Sequence, residues 1–238
     1  MDLSHVFTVY QPIFMFKDDK LFGFESLLRS ETGMAPGELF GNARASGGVK
    51  ALDRLAVKLA IEGFQNQGVG TKLFVNVLPS TLVEPDFLPY LQGVVKDTGF
   101  DPTTLVFELI ETIIEASFWN GNALKDAVAR IRRELGALIA VDDVGSGVAC
   151  NRNIIEFEPD IVKLDQYFGF ELANSTPKQR MVDSYRRLAE DNFTLLLEGI
   201  ESEEDAETAK RLGVDAGQGF YLGRPGPLDR FAKAVAAR

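Results

Sequence analysis

Short apolar runs alternate with amphipathic segments along most of the chain. Six runs rich in Val, Ile, Leu and Phe have the composition of strands, and they cover residues 72–77, 105–110, 138–141, 161–164, 194–197 and 218–222. Because these runs are apolar on both faces, they indicate a buried parallel sheet. The segments between them repeat apolar residues at helical spacing, as Leu124, Val128 and Ile131 do before Gly136. The pattern therefore predicts strands that alternate with helices.

Two further apolar runs open the sequence, at residues 8–16 and 21–28, and only a short polar segment separates them. So short a connection forces antiparallel pairing. The strand–helix alternation that follows predicts an α/β fold, a closed TIM-type (β/α)₈ barrel, with an open doubly wound sheet as the alternative. Since no low-complexity linker or charge block divides the sequence, residues 1–238 are expected to form a single domain.

Composition narrows the class of protein. The chain has 238 residues, 45% of them hydrophobic, which is enough for one large core. Its net charge of −10 disfavours binding to double-stranded nucleic acid. The apolar runs are too short to cross a membrane, and the N-terminus lacks the features of a signal peptide. Cys150 is the only cysteine, so no internal disulfide can form. These features favour a cytoplasmic location.

Polar side chains end nearly every apolar run. They are Glu25, Asn76, Glu108 with Glu111, Asp142 with Asp143, Lys163 with Asp165, Glu198 with Glu201, and Gln218. In a (β/α) barrel the C-terminal ends of the strands meet at one mouth, where active sites are built. A single acid at a strand end is usually solvated, but a succession of charges beside apolar runs requires pairing or a bound metal.

The chemistry of these side chains indicates a hard cation. Carboxylates that share one mouth repel each other, and divalent cations relieve that repulsion. Carboxylate and amide oxygens are the ligands that hard cations prefer, and no His or Cys lies in these strands. Mg²⁺ or Mn²⁺ is therefore expected in preference to zinc. Two such ions would stabilise both the attacking and the leaving oxygens of a phosphodiester displacement. This reasoning does not name the substrate.

The same strand ends carry an ordered set of motifs that resembles the EAL domain family over essentially the whole chain. The matching segments are Gln11-Pro12-Ile13, Glu25-Ser26-Leu27-Leu28-Arg29, Phe74-Val75-Asn76-Val77, Glu108-Leu109-Ile110-Glu111, Asp142-Asp143-Val144-Gly145-Ser146-Gly147, Lys163-Leu164-Asp165, Glu198-Gly199-Ile200-Glu201 and Gln218-Gly219-Phe220. The resemblance implies a modified (β/α)₈ barrel whose first strand is antiparallel. It also implies metal-dependent hydrolysis of cyclic di-GMP to linear 5′-pGpG.

The resemblance further implies a role for each site residue. The metal ligands would be Glu25, Asn76, Glu108, Asp142, Asp143 and Glu198, with two Mg²⁺ or Mn²⁺ ions expected and Ca²⁺ expected to bind without supporting turnover. The catalytic residues would be Lys163, Glu198, Glu201 and Gln218, of which Lys163 orients the attacking water. Whether Glu198 is the general base or a ligand stays open. The substrate contacts would be Arg29, Gln11 and Gln218, and Glu111 would anchor the loop after Asp143.

The chain departs from the family pattern mainly in the loop after Asp143. Val144 replaces a phenylalanine, and Val-Ala-Cys-Asn at residues 148–151 replaces Tyr-Ser-Ser-Leu. In the family this loop shapes the site and forms part of the dimer contact, so it is the expected place of a homodimer contact. The altered loop keeps a second hypothesis open, a weak or inactive EAL domain that serves as a cyclic di-GMP receptor or protein-interaction module. A third is a different barrel enzyme acting on a phosphorylated metabolite.

Overall fold

The structure is a computed structural model that describes residues 5–64, 71–110, 112–146, 151–190 and 192–231. Eight strands form a closed barrel in which each strand pairs with the next along the chain. The strands are β1 (Val6–Met15), β2 (Leu21–Ser30), β3 (Lys72–Val77), β4 (Leu105–Leu109), β5 (Leu138–Val144), β6 (Ile161–Leu164), β7 (Thr194–Leu197) and β8 (Ala216–Gly217). The expected TIM-type barrel is confirmed, and the open sheet is excluded.

The first strand runs against its two neighbours. β1 pairs with β2 in antiparallel register, from Val6 opposite Ser30 onwards, and it closes the barrel by antiparallel pairing with β8. All other neighbouring strands are parallel. The antiparallel first strand predicted from the short connection is therefore confirmed. Its register places Gln11 directly opposite Glu25.

Ten α-helices accompany the strands within the described ranges. They are α1 (Pro36–Ala45), α2 (Val49–Phe64), α3 (Pro79–Leu82), α4 (Phe87–Thr98), α5 (Ala116–Trp119), α6 (Asn122–Leu135), α7 (Asn151–Phe157), α8 (Gln166–Gly169), α9 (Thr176–Ala189) and α10 (Glu203–Arg211). The predicted stripe of α6 is buried, and the helix ends at Gly136 in the left-handed conformation that glycine tolerates. None of the described helices combines the length and the apolar character that a membrane span requires.

A layer of apolar side chains fills the barrel beneath its mouth. The layer consists of Ile13, Phe74, Val106, Ala140, Ile161, Leu196 and Ala216. Side chains two positions apart on a strand share a face. A polar side chain therefore lies on the same face two positions after Phe74, Val106 and Ile161. The same spacing places a polar side chain in β5 and directly after β7 and β8. This spacing places one polar side chain per strand above the apolar layer, at the mouth of the barrel.

The last strand is shorter than the sequence suggested. The prediction of a strand at residues 218–222 was wrong, because β8 covers only Ala216–Gly217 and the chain then turns. A hydrogen bond from the Leu222 N–H to the Gly219 carbonyl closes the turn. Phe220 and Tyr221 are nearly half exposed at this rim and do not belong to the barrel wall. Their apolar character therefore did not indicate a strand.

Candidate active site

The Lys163 side chain is the centre of a cluster of carboxylates at the barrel mouth. Its Nζ lies 2.8 Å from Oε1 of both Glu108 and Glu198, 3.1 Å from Oδ1 of Asp142 and 3.7 Å from Oε2 of Glu25. Each of these residues stands on or directly after a different strand of the barrel. Five separate strands thus deliver one ammonium and four carboxylates to a single point.

Burial makes the charge balance of this cluster matter. Lys163 and Glu108 are both completely buried. Burial alone would lower the pKa of Lys163, but the charges of Asp142, Glu108 and the other carboxylates outweigh it and hold that pKa well above its usual value. Lys163 is therefore a permanent cation. It nevertheless compensates only part of the charge that four carboxylates would carry.

Glu25 is held in place by two amides. The side-chain Nδ2 of Asn76 donates to Glu25 Oε1 at 2.9 Å, and the side-chain Nε2 of Gln218 donates to Glu25 Oε2 at 2.7 Å. Gln218 and Glu25 are buried. The amides fix the carboxyl group in one orientation, with the Asn76 carbonyl oxygen beside it as a further oxygen donor.

Asp142 and Asp143 line the same cavity, although consecutive strand residues ordinarily face opposite sides. The pairing of β5 with β6 is irregular between Val141 and Val144. Within that bulge Asp143 has a φ of 54°, a left-handed conformation that is uncommon outside glycine. Its N–H also donates to Asp142 Oδ1 at 2.9 Å. The bulge therefore turns two successive carboxylates towards one site.

The donors of this site fit a divalent cation. Oxygen atoms from Asp142, Asp143 and Glu198 all lie within 4.8 Å of one another. Glu108 is buried, and among the described residues its two oxygens accept no hydrogen bond of good geometry, although Lys163 lies close to one of them. Carboxylates with unused lone pairs in a group of excess negative charge are what Mg²⁺, Mn²⁺ or Ca²⁺ requires.

The pKa values of the carboxylates reflect the same excess charge. Burial raises the pKa of Glu108 well above its usual value. Burial and then the charge of Asp142 raise the pKa of Glu198 to about 8 and that of Asp143 to about 6, while Lys163 acts in the opposite direction. Without further positive charge, part of the cluster must therefore hold protons. A bound cation would displace them.

The remaining predicted residues lie at different distances from this cluster. Gln11, Glu201 and Gln218 line a cavity of about 300 Å³ together with Glu25 and the aspartates. The Gln11 side chain donates to the Gly223 carbonyl at 3.1 Å, and Glu201 is exposed at the rim. Arg29 instead lines a neighbouring apolar cavity, and its Nη1 donates to the Leu28 carbonyl. Their predicted roles stay predictions.

Two of the predictions fall outside the described residues. Glu111, the expected anchor of the loop after Asp143, is one of them. The expected dimer contact involves the same loop, of which residues 147–150 are outside the described ranges. A different acid, Glu115, is completely buried, and no motif predicted it. Its position directly after the apolar pair Ile113-Ile114 is the signal that was available, and it is a weak one.

A second cavity, of about 380 Å³, lies beside the acidic cluster and shares Asn76 with it. Its lining is mainly apolar and includes Leu27, Phe40 and Ile114. Among the described residues that line it, the charged side chains are Arg29 and Arg44. The mouth therefore offers two adjoining environments, one rich in carboxylates and one apolar with cationic edges.

Comparison with known sequences gives a consistent result. Residues 1–225 match the sequence profile of the EAL domain. The probable cyclic di-GMP phosphodiesterase PdeI of Escherichia coli K12 is 28% identical over 245 residues, which cover 98% of this chain and 31% of PdeI. The chain thus spans about a third of the length of that relative.

Comparison with solved structures agrees. Klebsiella pneumoniae BlrP1, in complex with manganese and cyclic di-GMP, superposes with a TM-score of 0.83 at 27% identity, over 94% of this chain and 57% of BlrP1. A calcium and cyclic di-GMP complex of BlrP1 aligns equally well. An EAL domain protein of Listeria monocytogenes EGD-e has a TM-score of 0.85 at 23% identity, over 98% of this chain and 94% of that protein, and supports the fold.

Proposed function

Because the chain belongs to the EAL domain family, we propose that it hydrolyses cyclic di-GMP to linear 5′-pGpG with the help of divalent cations. Water would add to one phosphorus atom, the bond from phosphorus to the 3′ oxygen would break, and that oxygen would take up a proton. The observation that carries the proposal is the convergence of four carboxylates on buried Lys163. The cyclic di-GMP complexes of BlrP1, with manganese and with calcium, support it.

The residues that would hold the cations divide into two groups. Glu25, Asn76, Glu108 and Asp142 would hold a first Mg²⁺ or Mn²⁺, and Asp142, Asp143 and Glu198 would hold a second. When bound, the cations would neutralise charge and lower the pKa of the attacking water. The two amides on Glu25 would keep that ligand from rotating.

Lys163 and Glu198 are the side chains we propose for the chemical step. The Lys163 ammonium is fixed by its four carboxylate neighbours, so it is preorganised to orient the water and to offset charge that develops on the phosphoryl oxygens. Glu198 is close enough to Asp142 and Asp143 to share a cation with them. Its other possible role, accepting the proton of the water, can be separated from ligation by experiment.

The substrate would lie across both cavities of the mouth. A phosphodiester needs the cation-rich side, whereas a purine base favours an apolar slot. The 380 Å³ cavity offers such a slot within reach of Asn76, and Arg29 at its edge can pair with a phosphate oxygen. Gln11 and Gln218 line the acidic cavity and would contact the substrate there.

A turnover assay distinguishes this proposal from its alternatives. Purified protein is mixed with cyclic di-GMP and either Mn²⁺, Mg²⁺ or Ca²⁺, and the products are identified by mass. We expect 5′-pGpG with Mn²⁺ and Mg²⁺ and none with Ca²⁺. Tight binding of cyclic di-GMP without product under every cation would instead identify a receptor. Neither binding nor product would favour a barrel enzyme with another phosphorylated substrate.

A further inference from the structure

We propose that Arg44, held in place by buried Glu115, recognises the guanine base of the substrate in the apolar cavity. The inference rests on the proposed function and assigns the residue that would make the site selective for guanine. Arg44 stands near the C-terminal end of α1, outside the short motifs that resemble the EAL domain family. Its side chain is 31% exposed and lines the 380 Å³ cavity.

Glu115 fixes the position of this arginine. Its Oε1 accepts from Nη2 of Arg44 at 3.1 Å, and its Oε2 accepts the backbone N–H of Ser80 at 2.8 Å. The Glu115 side chain is completely buried. A buried carboxylate that accepts a hydrogen bond on each oxygen holds its partner in one orientation, because any movement of Arg44 would leave an unpaired charge in the interior. Arg44 is thus preorganised.

The guanidinium keeps donors for a ligand. A guanidinium has five N–H donors, and within the described residues Arg44 uses its Nη2 on Glu115 and shows no further side-chain hydrogen bond. Arg29, the other charged residue among the described lining residues, donates from Nη1 to the neighbouring Leu28 carbonyl. A base that enters between the apolar walls therefore meets Arg44 as a rigid, partly unsatisfied donor.

Guanine suits this donor better than adenine does. Its O6 and N7 are adjacent acceptors that match the fork of an arginine, whereas adenine presents an amino donor in place of O6. An arginine at the edge of an apolar slot therefore accepts guanine and repels adenine. Apolar contacts with side chains such as Phe40 and Ile114 would supply affinity without selectivity.

The test replaces N7 of the base with a C–H group and truncates the Arg44 side chain of the protein. Affinity is measured by calorimetry with Ca²⁺ for cyclic di-GMP and for its analogue in which both guanines are 7-deazaguanine. We expect the loss of N7 to weaken binding about 10-fold in the parent and less than about 2-fold in Arg44→Ala. The second guanine contributes equally to both proteins, so its effect cancels.

Two further variants distinguish a loss of base recognition from a folding defect. Arg44→Lys keeps a positive charge beside Glu115 but loses the fork, so it should lose most of its sensitivity to N7. Arg132→Lys is the matched control, because Arg132 is likewise 31% exposed and paired with a carboxylate, Asp160, that precedes β6 at the far end of the barrel. It should keep the parent's 10-fold sensitivity.

The outcomes separate the two proposals. If the parent fails to bind cyclic di-GMP, the proposed function is wrong, and the role of Arg44 falls with it. If the parent binds, but Arg44→Ala and Arg44→Lys remain as sensitive to N7 as the parent, then Arg44 does not read the base and only this inference is overturned. Equal weakening of both ligands by Arg44→Ala, with N7 sensitivity retained, would assign Arg44 to phosphate contact instead.

Discussion

The Nζ of Lys163 lies 2.8 Å from Oε1 of Glu108, and neither side chain has any exposed surface. Glu25, Asp142 and Glu198 also surround this ammonium, which cannot balance the charge that four carboxylates would carry. A water-filled mouth can screen part of that charge, but the buried part requires cations or protons. The charge balance of the fold is therefore consistent with the divalent cations of the proposed function.

Cation binding is expected to stabilise the protein as well as to support turnover. At 100 times its dissociation constant, Mn²⁺ should add about 2.7 kcal/mol to the free energy of unfolding. Asp142→Ala should lose most of this stabilisation and all measurable turnover, because Asp142 would contact both cations. Thermal unfolding with Mn²⁺ and with chelator measures the shift. Asp183→Ala, which removes an exposed partner of Arg187, should leave shift and turnover unchanged.

Replacement of Lys163 should separate binding from chemistry. Lys163→Ala is expected to lower kcat by ~10²–10³, since a preorganised charge acts on the transition state. Its affinity for cyclic di-GMP, measured with Ca²⁺, should stay within a few-fold of the parent. Lys210→Ala, which removes a lysine paired with Asp19 and Glu207 on the surface, is the control. An affinity loss as large as the loss in kcat would assign Lys163 to ground-state binding.

Glu198→Gln distinguishes the two roles of Glu198. A glutamine can still offer an oxygen to a cation but cannot take a proton from water. If Glu198 is only a ligand, the variant should need more Mn²⁺ for half-maximal rate and recover much of its kcat at saturating Mn²⁺. If it is the base, kcat should stay low at every Mn²⁺ concentration. A titration of rate against Mn²⁺ gives both values.

Asp53 should make the stability of the fold depend on pH. Burial, and to a smaller extent the charge of Glu115, raises its pKa from 3.8 to about 7, although the nearby Thr81 hydroxyl and a hydrogen bond from the Leu78 N–H oppose the shift. Between about pH 4 and 7 the folded state therefore binds more protons than the unfolded state. Stability should fall as pH rises through this window, with a slope approaching about 1.4 kcal/mol per pH unit.

Asp53→Asn removes that titration and keeps a carbonyl acceptor for the Leu78 N–H. The difference in free energy of unfolding between parent and variant, measured in urea from pH 4 to 8, should shift steadily in favour of the variant as the pH rises. Exposed Asp183→Asn should show no such trend. A pH-independent difference for Asp53→Asn would mean that Asp53 is ionised throughout.

Gly219 should tolerate no side chain. A Cβ there would overlap the backbone of Ile200, including its carbonyl oxygen. Gly219→Ala must therefore displace the segment that carries Gln218, so we expect lower stability and lower turnover together. Gly93→Ala is the matched control, because Gly93 lies inside α4 with no atom close to a new Cβ. It should stabilise the protein by about 0.5–1 kcal/mol in urea unfolding.

Much of the site could be predicted from the sequence because the barrel imposes simple rules. Parallel strands bring their C-terminal ends together, so Asn76, Glu108 and Lys163 had to meet once each was recognised at a strand end. The short segment after the first apolar run required an antiparallel neighbour. Both features depend on local chain geometry, which can be predicted directly from the sequence. That residues 1–238 form one domain, and that these side chains bind metal, remain predictions.

The tertiary structure decided the features of the site that local sequence rules cannot predict. Strand alternation would send Asp142 and Asp143 to opposite faces, and only the bulge with its left-handed Asp143 turns both inward. Glu115 follows β4, whereas Arg44 lies on α1. Their hydrogen bond, and the burial of Glu115, depend on how these two segments pack together. Such contacts join residues far apart in sequence, so no periodicity encodes them, and their energies depend on burial that exists only once the barrel has closed.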